Sequence, residues 1–191
     1  MRLFVAADID AVTRAQLAQT RDAIQRVLNR ADVVPRVAWV KDESAHVTLR
    51  FLGEVSDAIG ESVQQALRKP LSRDAFEVQW DRVGTFPAGR NPRVVWVGCS
   101  RGADELGALE MAVNGRLAPI VGAGESRPFK AHLTIGRVKE PGKGADWTQA
   151  IGAASFPPTV TRVDRATLYL SKTSPKGPIY TALCRTNLGG L

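Results

Sequence analysis

The two histidines of the chain fall in nearly the same words, Ala45-His46-Val47-Thr48-Leu49 and Ala131-His132-Leu133-Thr134-Ile135. Each copy is followed by a basic residue, Arg50 in the first and Arg137 in the second. In an extended backbone residues i and i+2 share a face, so each imidazole stands beside a threonine hydroxyl. Val47, Leu49, Leu133 and Ile135 then point the other way, into a core. By the same alternation Arg50 joins the face of His46 and Thr48, whereas Arg137 joins that of His132 only if Gly136 allows a bulge.

Two such walls set opposite each other suit a phosphodiester. Imidazole titrates near neutral pH, so one neutral and one protonated copy coexist. The neutral ring takes a proton from water and the charged ring gives one to the leaving oxygen. Thr48 and Thr134 can donate to the non-bridging oxygens as charge develops, with a guanidinium from Arg50 or Arg137 beside them. A strained cyclic phosphate opens in this way without a metal. A lone His-x-Thr is more often a satisfied, half-buried strand pair. Two copies that use every histidine in the chain reverse that weighting.

Rival chemistries have less to stand on. Zinc needs further ligands, and no third His, Cys or carboxylate stands at ligand spacing. A Ser or Cys nucleophile is unsupported: there is no Gly-x-Ser-x-Gly, and neither Cys99 nor Cys184 sits in a basic loop.

The elements that must position these motifs alternate between strand and helix patterns. Strands are expected over 3–7, 37–40, 46–51 (ended by Gly53), 76–85, 93–99, 130–138, 160–171 and 178–186. Helices are expected over 11–29 with Asp10 as N-cap, over 56–69 with Ser56 as cap and Pro70 beyond, and over 104–120. The turn region 86–92 makes a hairpin of its two flanking strands. The stretch 141–158 reads as a loop with at most one short helix. Hairpins and strand-to-strand steps point to α+β with antiparallel sheets rather than a doubly wound parallel sheet. The repeated motif predicts two related half-structures. Phe4, Trp39 and Phe51 could stack on bases, but core packing is the expectation for all three.

At 191 residues the chain can build one sizeable core, or two small lobes sharing one. Hydrophobic content of 44% with 24% charged residues speaks against disorder. Lys and Arg number 26 against 19 Asp and Glu, a net +7 that favours an anionic partner. The cations are scattered rather than run together, so a folded groove is expected and not a tail. Two cysteines without disulfide or metal spacing read as buried, reduced thiols of a cytoplasmic protein. The N-terminus turns acidic at Asp8 and Asp10, too soon for a signal peptide. No apolar stretch approaches the roughly 20 residues of a membrane span.

With these segments the chain resembles the RNA 2′,3′-cyclic phosphodiesterases, also called the bacterial and archaeal 2′-5′ RNA ligase family, within the two-histidine phosphoesterases. The resemblance runs through Arg2-Leu-Phe-Val-Ala, His46-Val-Thr-Leu-Arg-Phe-Leu-Gly-Glu, Pro92-Arg-Val-Val-Trp-Val-Gly, Phe129-Lys-Ala-His-Leu-Thr-Ile-Gly-Arg and Leu168-Tyr-Leu-Ser-Lys. The stretch Gly142-Lys-Gly-Ala-Asp has no evident counterpart. The resemblance implies one two-lobed domain over 1–191, with pseudo-symmetric antiparallel sheets around a central cleft and helices outside. It implies His46 as proton donor to the departing 3′ oxygen, His132 as the base on water, and Thr48 and Thr134 as phosphate binders. The implied partner is RNA with a 2′,3′-cyclic phosphate or 2′-phosphate end, without cofactor, metal or membrane, acted on by a monomer. Ligation of 2′-5′ linkages is implied as a side activity. Two other readings stay open: a phosphodiesterase for a small cyclic phosphate (a nucleoside 2′,3′-cyclic phosphate or an ADP-ribose derivative), and a non-catalytic module that holds RNA ends.

Overall fold

Strand β1 (Arg2–Asp8) buries every residue from Leu3 to Ala7. Such a continuous apolar run belongs to a strand covered on both faces. Its edges are covered too, since β1 lies inside a four-stranded sheet of order β3-β1-β8-β9. Here β3 is His46–Glu54, β8 is Arg165–Ser174 and β9 is Gly177–Asn187. The structure, a computed structural model, describes residues 1–124, 127–175 and 177–189.

A second sheet has five strands in the order β2-β6-β5-β4-β7. Its members are β2 (Arg36–Trp39), β4 (Phe76–Phe86), β5 (Val94–Arg101), β6 (His132–Glu140) and β7 (Thr159–Val163). Every strand pairing within both sheets is antiparallel, so the α+β architecture is borne out. Both sheets feed one core, with Val5, Val47 and Leu168 from the first and Val78, Val95 and Leu133 from the second. Each fully buried side chain of this kind contributes about 1.5–3 kcal/mol.

Helix α1 (Ala11–Leu28) buries Thr13, Leu17, Thr20, Ile24 and Leu28, one stripe at helical spacing. Asp10 caps it, its Oδ1 accepting from the Thr13 amide at 2.8 Å. Ser56 caps α2 (Asp57–Ala66) in the same manner, over 3.3 Å to the Ile59 amide. That helix stops at Ala66, short of the expected residue 69; Pro70 has no N–H to offer the Ala66 carbonyl and its ring would crowd it. Helices α3 (Ala103–Val121) and α4 (Trp147–Gly152) complete the set; α4 is the short helix inside the 141–158 stretch. No helix among the described residues is long and apolar enough to cross a membrane.

Two further expectations are corrected. Strand β3 does not end at Gly53; it runs to Glu54, with Gly53 at φ 70, a backbone conformation only glycine takes readily. The run 160–171 is two strands. Residues up to Val163 form β7 on the edge of one sheet, and those from Arg165 form β8 inside the other. The chain changes sheets at Asp164, whose carbonyl accepts from the Leu188 amide at 2.8 Å. No Gly or Pro marks the step, and both halves alternate like strands, so periodicity runs straight through it.

Candidate active site

Strands β3 and β6 begin on His46 and His132, span nine residues each, and bury the same positions along their length. Both carry a bulge at the same step. Between β1 and β3 the register passes from Ala6↔Thr48 to Val5↔Arg50, leaving Leu49 as the extra residue. Between β5 and β6 it passes from Trp96↔Thr134 to Val95↔Gly136, leaving Ile135 extra. A bulge breaks the two-residue alternation. Leu49 and Arg50 are therefore both buried, as are Ile135 and Gly136, and the next residues, Phe51 and Arg137, emerge at the surface.

This overturns the placement expected for Arg50. It is only 6% exposed, and its guanidinium is turned under α3. Nη1 donates to the Asn114 carbonyl at 3.1 Å and Nη2 to the Gly122 carbonyl at 2.6 Å. A cation committed to one carbonyl inside α3 and one at its C-terminal cap is a structural tie, and Arg50 is withdrawn as a phosphate contact. Arg137 has the opposite outcome: it lines the cleft with His132 and Thr134. Glycine is needed at position 136, since a Cβ there would lie 2.7 Å from the Trp39 ring.

The cleft has a volume of about 840 Å³ and takes in His46, Thr48, His132, Thr134 and Arg137. Its other cations are Arg2, Lys41 and Lys139, and among the described residues no Asp or Glu lines it. Phe51, expected in the core, is 55% exposed here. Trp39 is half-buried on the opposite wall of the cleft, with Nε1 donating to Gln25 Oε1 at 2.9 Å. Phe4 is buried as expected, yet it also floors the cleft, stacked on the His46 ring at 4.8 Å between centroids. The Tyr180 ring meets His46 edge-on at 5.4 Å, and Phe86 meets His132 edge-on at 5.5 Å.

Both imidazoles are oriented by the same device. His46 Nδ1 donates to the Ser44 carbonyl at 2.8 Å, and His132 Nδ1 to the Lys130 carbonyl at 2.7 Å. A carbonyl only accepts, so Nδ1 carries the hydrogen and Nε2 is left for other work. Burial holds both rings below the usual histidine range. For His46 the Ser44 carbonyl and the Asp8 charge push back upward, against Arg14 and Arg137. For His132 the Lys130 carbonyl pushes upward and Arg137 downward.

Asp8 was not singled out by sequence. Its Oδ2 accepts from Thr167 Oγ1 at 2.8 Å and its Oδ1 from Tyr169 Oη at 2.5 Å. Burial, then the bond to Asp8, pushes the Tyr169 phenol up to about 12. Nothing local could have flagged this group, because its partners lie in β8, far along the chain. Cys99 and Cys184 are free and half-buried rather than buried, with burial raising both thiols. Among the described residues no three His, Cys, Asp or Glu gather into a metal-holding group.

A family model described as 2′-5′ RNA ligase superfamily matches residues 18–174. A protein of Archaeoglobus fulgidus named RNA 2′,3′-cyclic phosphodiesterase is 35% identical over 184 residues, 96% of this chain and 98% of its own. Among solved structures, TT0787 of Thermus thermophilus superposes with a TM-score of 0.76 at 26% identity, covering 100% of this chain and 99% of that one. E. coli LigT complexed with 3′-AMP gives 0.71 at 27% identity, covering 98% and 97%.

Proposed function

The chain belongs to the 2′-5′ RNA ligase superfamily, and we propose that it hydrolyses the 2′,3′-cyclic phosphate at an RNA end. The observation that carries this reading is the doubled wall: two His-x-Thr strands, each imidazole tethered through Nδ1, on one cation-lined cleft. The names of relatives supply the substrate class.

In the proposed reaction His132 Nε2 takes a proton from water as the water oxygen bonds to phosphorus. The bond from phosphorus to O3′ breaks, and His46 Nε2 delivers a proton to that oxygen. The product is a 2′-phosphomonoester beside a free 3′-hydroxyl. Thr48 and Thr134 donate to the non-bridging oxygens, and Arg137 offsets the charge that builds on them. No metal enters these steps. A 5′-hydroxyl in place of water would form a 2′-5′ linkage, the side activity that the family name describes.

Burial holds both rings below their ordinary range, which favours the neutral form of each. A bound phosphate anion returns a proton to one of them, since a nearby negative charge favours imidazolium. Arg2, Lys41 and Lys139 extend the positive lining beyond the phosphate, which favours a polyanionic strand over a mononucleotide. A short RNA bearing a cyclic phosphate end tests the reading: conversion to a phosphomonoester supports it, and ends left intact at high enzyme contradict it.

A further inference from the structure

Asp8 and Gly98 hold the same place in the two halves of the cleft. Strand β1 pairs Asp8 with His46, and β5 pairs Gly98 with His132. The neighbouring steps match as well, Ala7↔Val47 with Val97↔Leu133 and Ala6↔Thr48 with Trp96↔Thr134. At this one step the two walls differ in charge. A carboxylate stands across the strand from one imidazole, and a glycine hydrogen across from the other.

The carboxylate is held in place. Thr167 Oγ1 and Tyr169 Oη each donate to one of its oxygens, at 2.8 and 2.5 Å. The Tyr169 ring stacks on Phe4 at 5.3 Å, and Phe4 stacks on His46 at 4.8 Å. Asp8 and His46 also border one cavity of about 190 Å³. The His46 Nδ1 hydrogen is already committed to Ser44, so Asp8 acts on the ring through its charge.

Resting on the phosphodiesterase reading above, we propose that Asp8 is the positioning residue that makes His46, rather than His132, the proton donor, and so decides which oxygen of the cyclic phosphate leaves. The Ser44 carbonyl also favours a proton on His46, but the Lys130 carbonyl does the same for His132, so this device does not set the two rings apart. Arg14 from α1 and Arg137 from β6 disfavour imidazolium. Tyr180 from β9 is uncharged at neutral pH, and burial raises its phenol further. Lys41 and Glu43, from the segment before β3, line the small cavity with opposite signs. Among the described residues no carboxylate plays the part of Asp8 for His132, whose cross-strand partner is Gly98, and Arg137 acts against its proton as well.

The chain has two histidines, so ring-proton NMR titration of the free protein gives two curves, assigned with a His132→Gln variant. In Asp8→Asn the His46 curve should move down by about one pH unit, a tenfold loss of proton affinity, while His132 moves far less. Turnover on cyclic-phosphate RNA should fall about tenfold in kcat with KM little changed, and Asp8→Glu should recover part of both effects. Asp8→Ser supplies a second neutral side chain should the amide fail to pack. An unmoved His46 curve, or two curves moving alike, overturns the proposal. A His46 curve that moves while kcat stays put overturns the role assigned to that charge. The titration needs no substrate, so a wild-type protein inactive on RNA ends would sink the phosphodiesterase reading without touching this measurement.

Discussion

Arg137 stands at the step of β6 that Phe51 holds in β3, one residue past a buried pair in each strand. The two walls thus offer one cleft position to a cation on one side and to an aromatic ring on the other. Arg50, one residue earlier, is spent on α3.

The two arginines should separate cleanly by experiment. Hydrogen bonds from charged groups are worth about 1.5–3 kcal/mol, so Arg137→Ala should lower kcat/KM by roughly 10–100-fold and leave the melting temperature alone. Arg50→Met should cost about 2–4 kcal/mol of stability, with turnover per folded molecule intact. Urea melts and steady-state kinetics on both variants check this; the reverse pattern would restore Arg50 to the site.

The two imidazoles should behave as a unit. His46→Ala or His132→Ala alone should slow turnover by about 10²–10⁴-fold, and the double variant should fall little further. Fully additive losses would show that they act in separate steps.

Much of this was legible in the residues. The paired His-x-Thr words, the caps at Asp10 and Ser56 and the strand–helix order all carry local signatures, and the structure agrees with them. The bulges at Leu49 and Ile135 carry none. One inserted residue moves every later side chain to the other face without altering composition, and that is why Arg50, Arg137 and Phe51 had their faces exchanged. Only Gly136 hinted at it, in one copy of the two. Asp8 was illegible for another reason: Thr167 and Tyr169 reach it across the sheet from β8.

Stability should carry a histidine signature. The unfolded chain takes up protons on both rings near pH 6.5, whereas burial keeps the folded rings neutral to lower pH. Over that window the unfolded state binds more protons, so stability falls as pH drops from about 6.5 through the lowered native values. Thermal melts between about pH 7.5 and 5 should therefore decline more steeply for wild type than for the His46→Gln/His132→Gln protein. Parallel curves would contradict the burial argument.

Salt should distinguish the substrates. Each phosphate neutralised on a single strand adds about 0.7 to the slope of log affinity against log salt. An RNA oligonucleotide should show a steeper slope than a nucleoside 2′,3′-cyclic phosphate, and Lys139→Ala should reduce the difference. Equal slopes would favour the small cyclic phosphate as substrate.

The most direct measurement is the identity of the end left by wild type, His46→Ala and His132→Ala acting on an RNA with a 2′,3′-cyclic phosphate, in excess chelator and across pH 5–9. A 2′-phosphate formed by wild type over a bell-shaped pH range, and lost in both variants, is the predicted result. A 3′-phosphate would reverse the roles assigned to the two histidines, and undiminished turnover in either variant would contradict the paired acid–base mechanism itself.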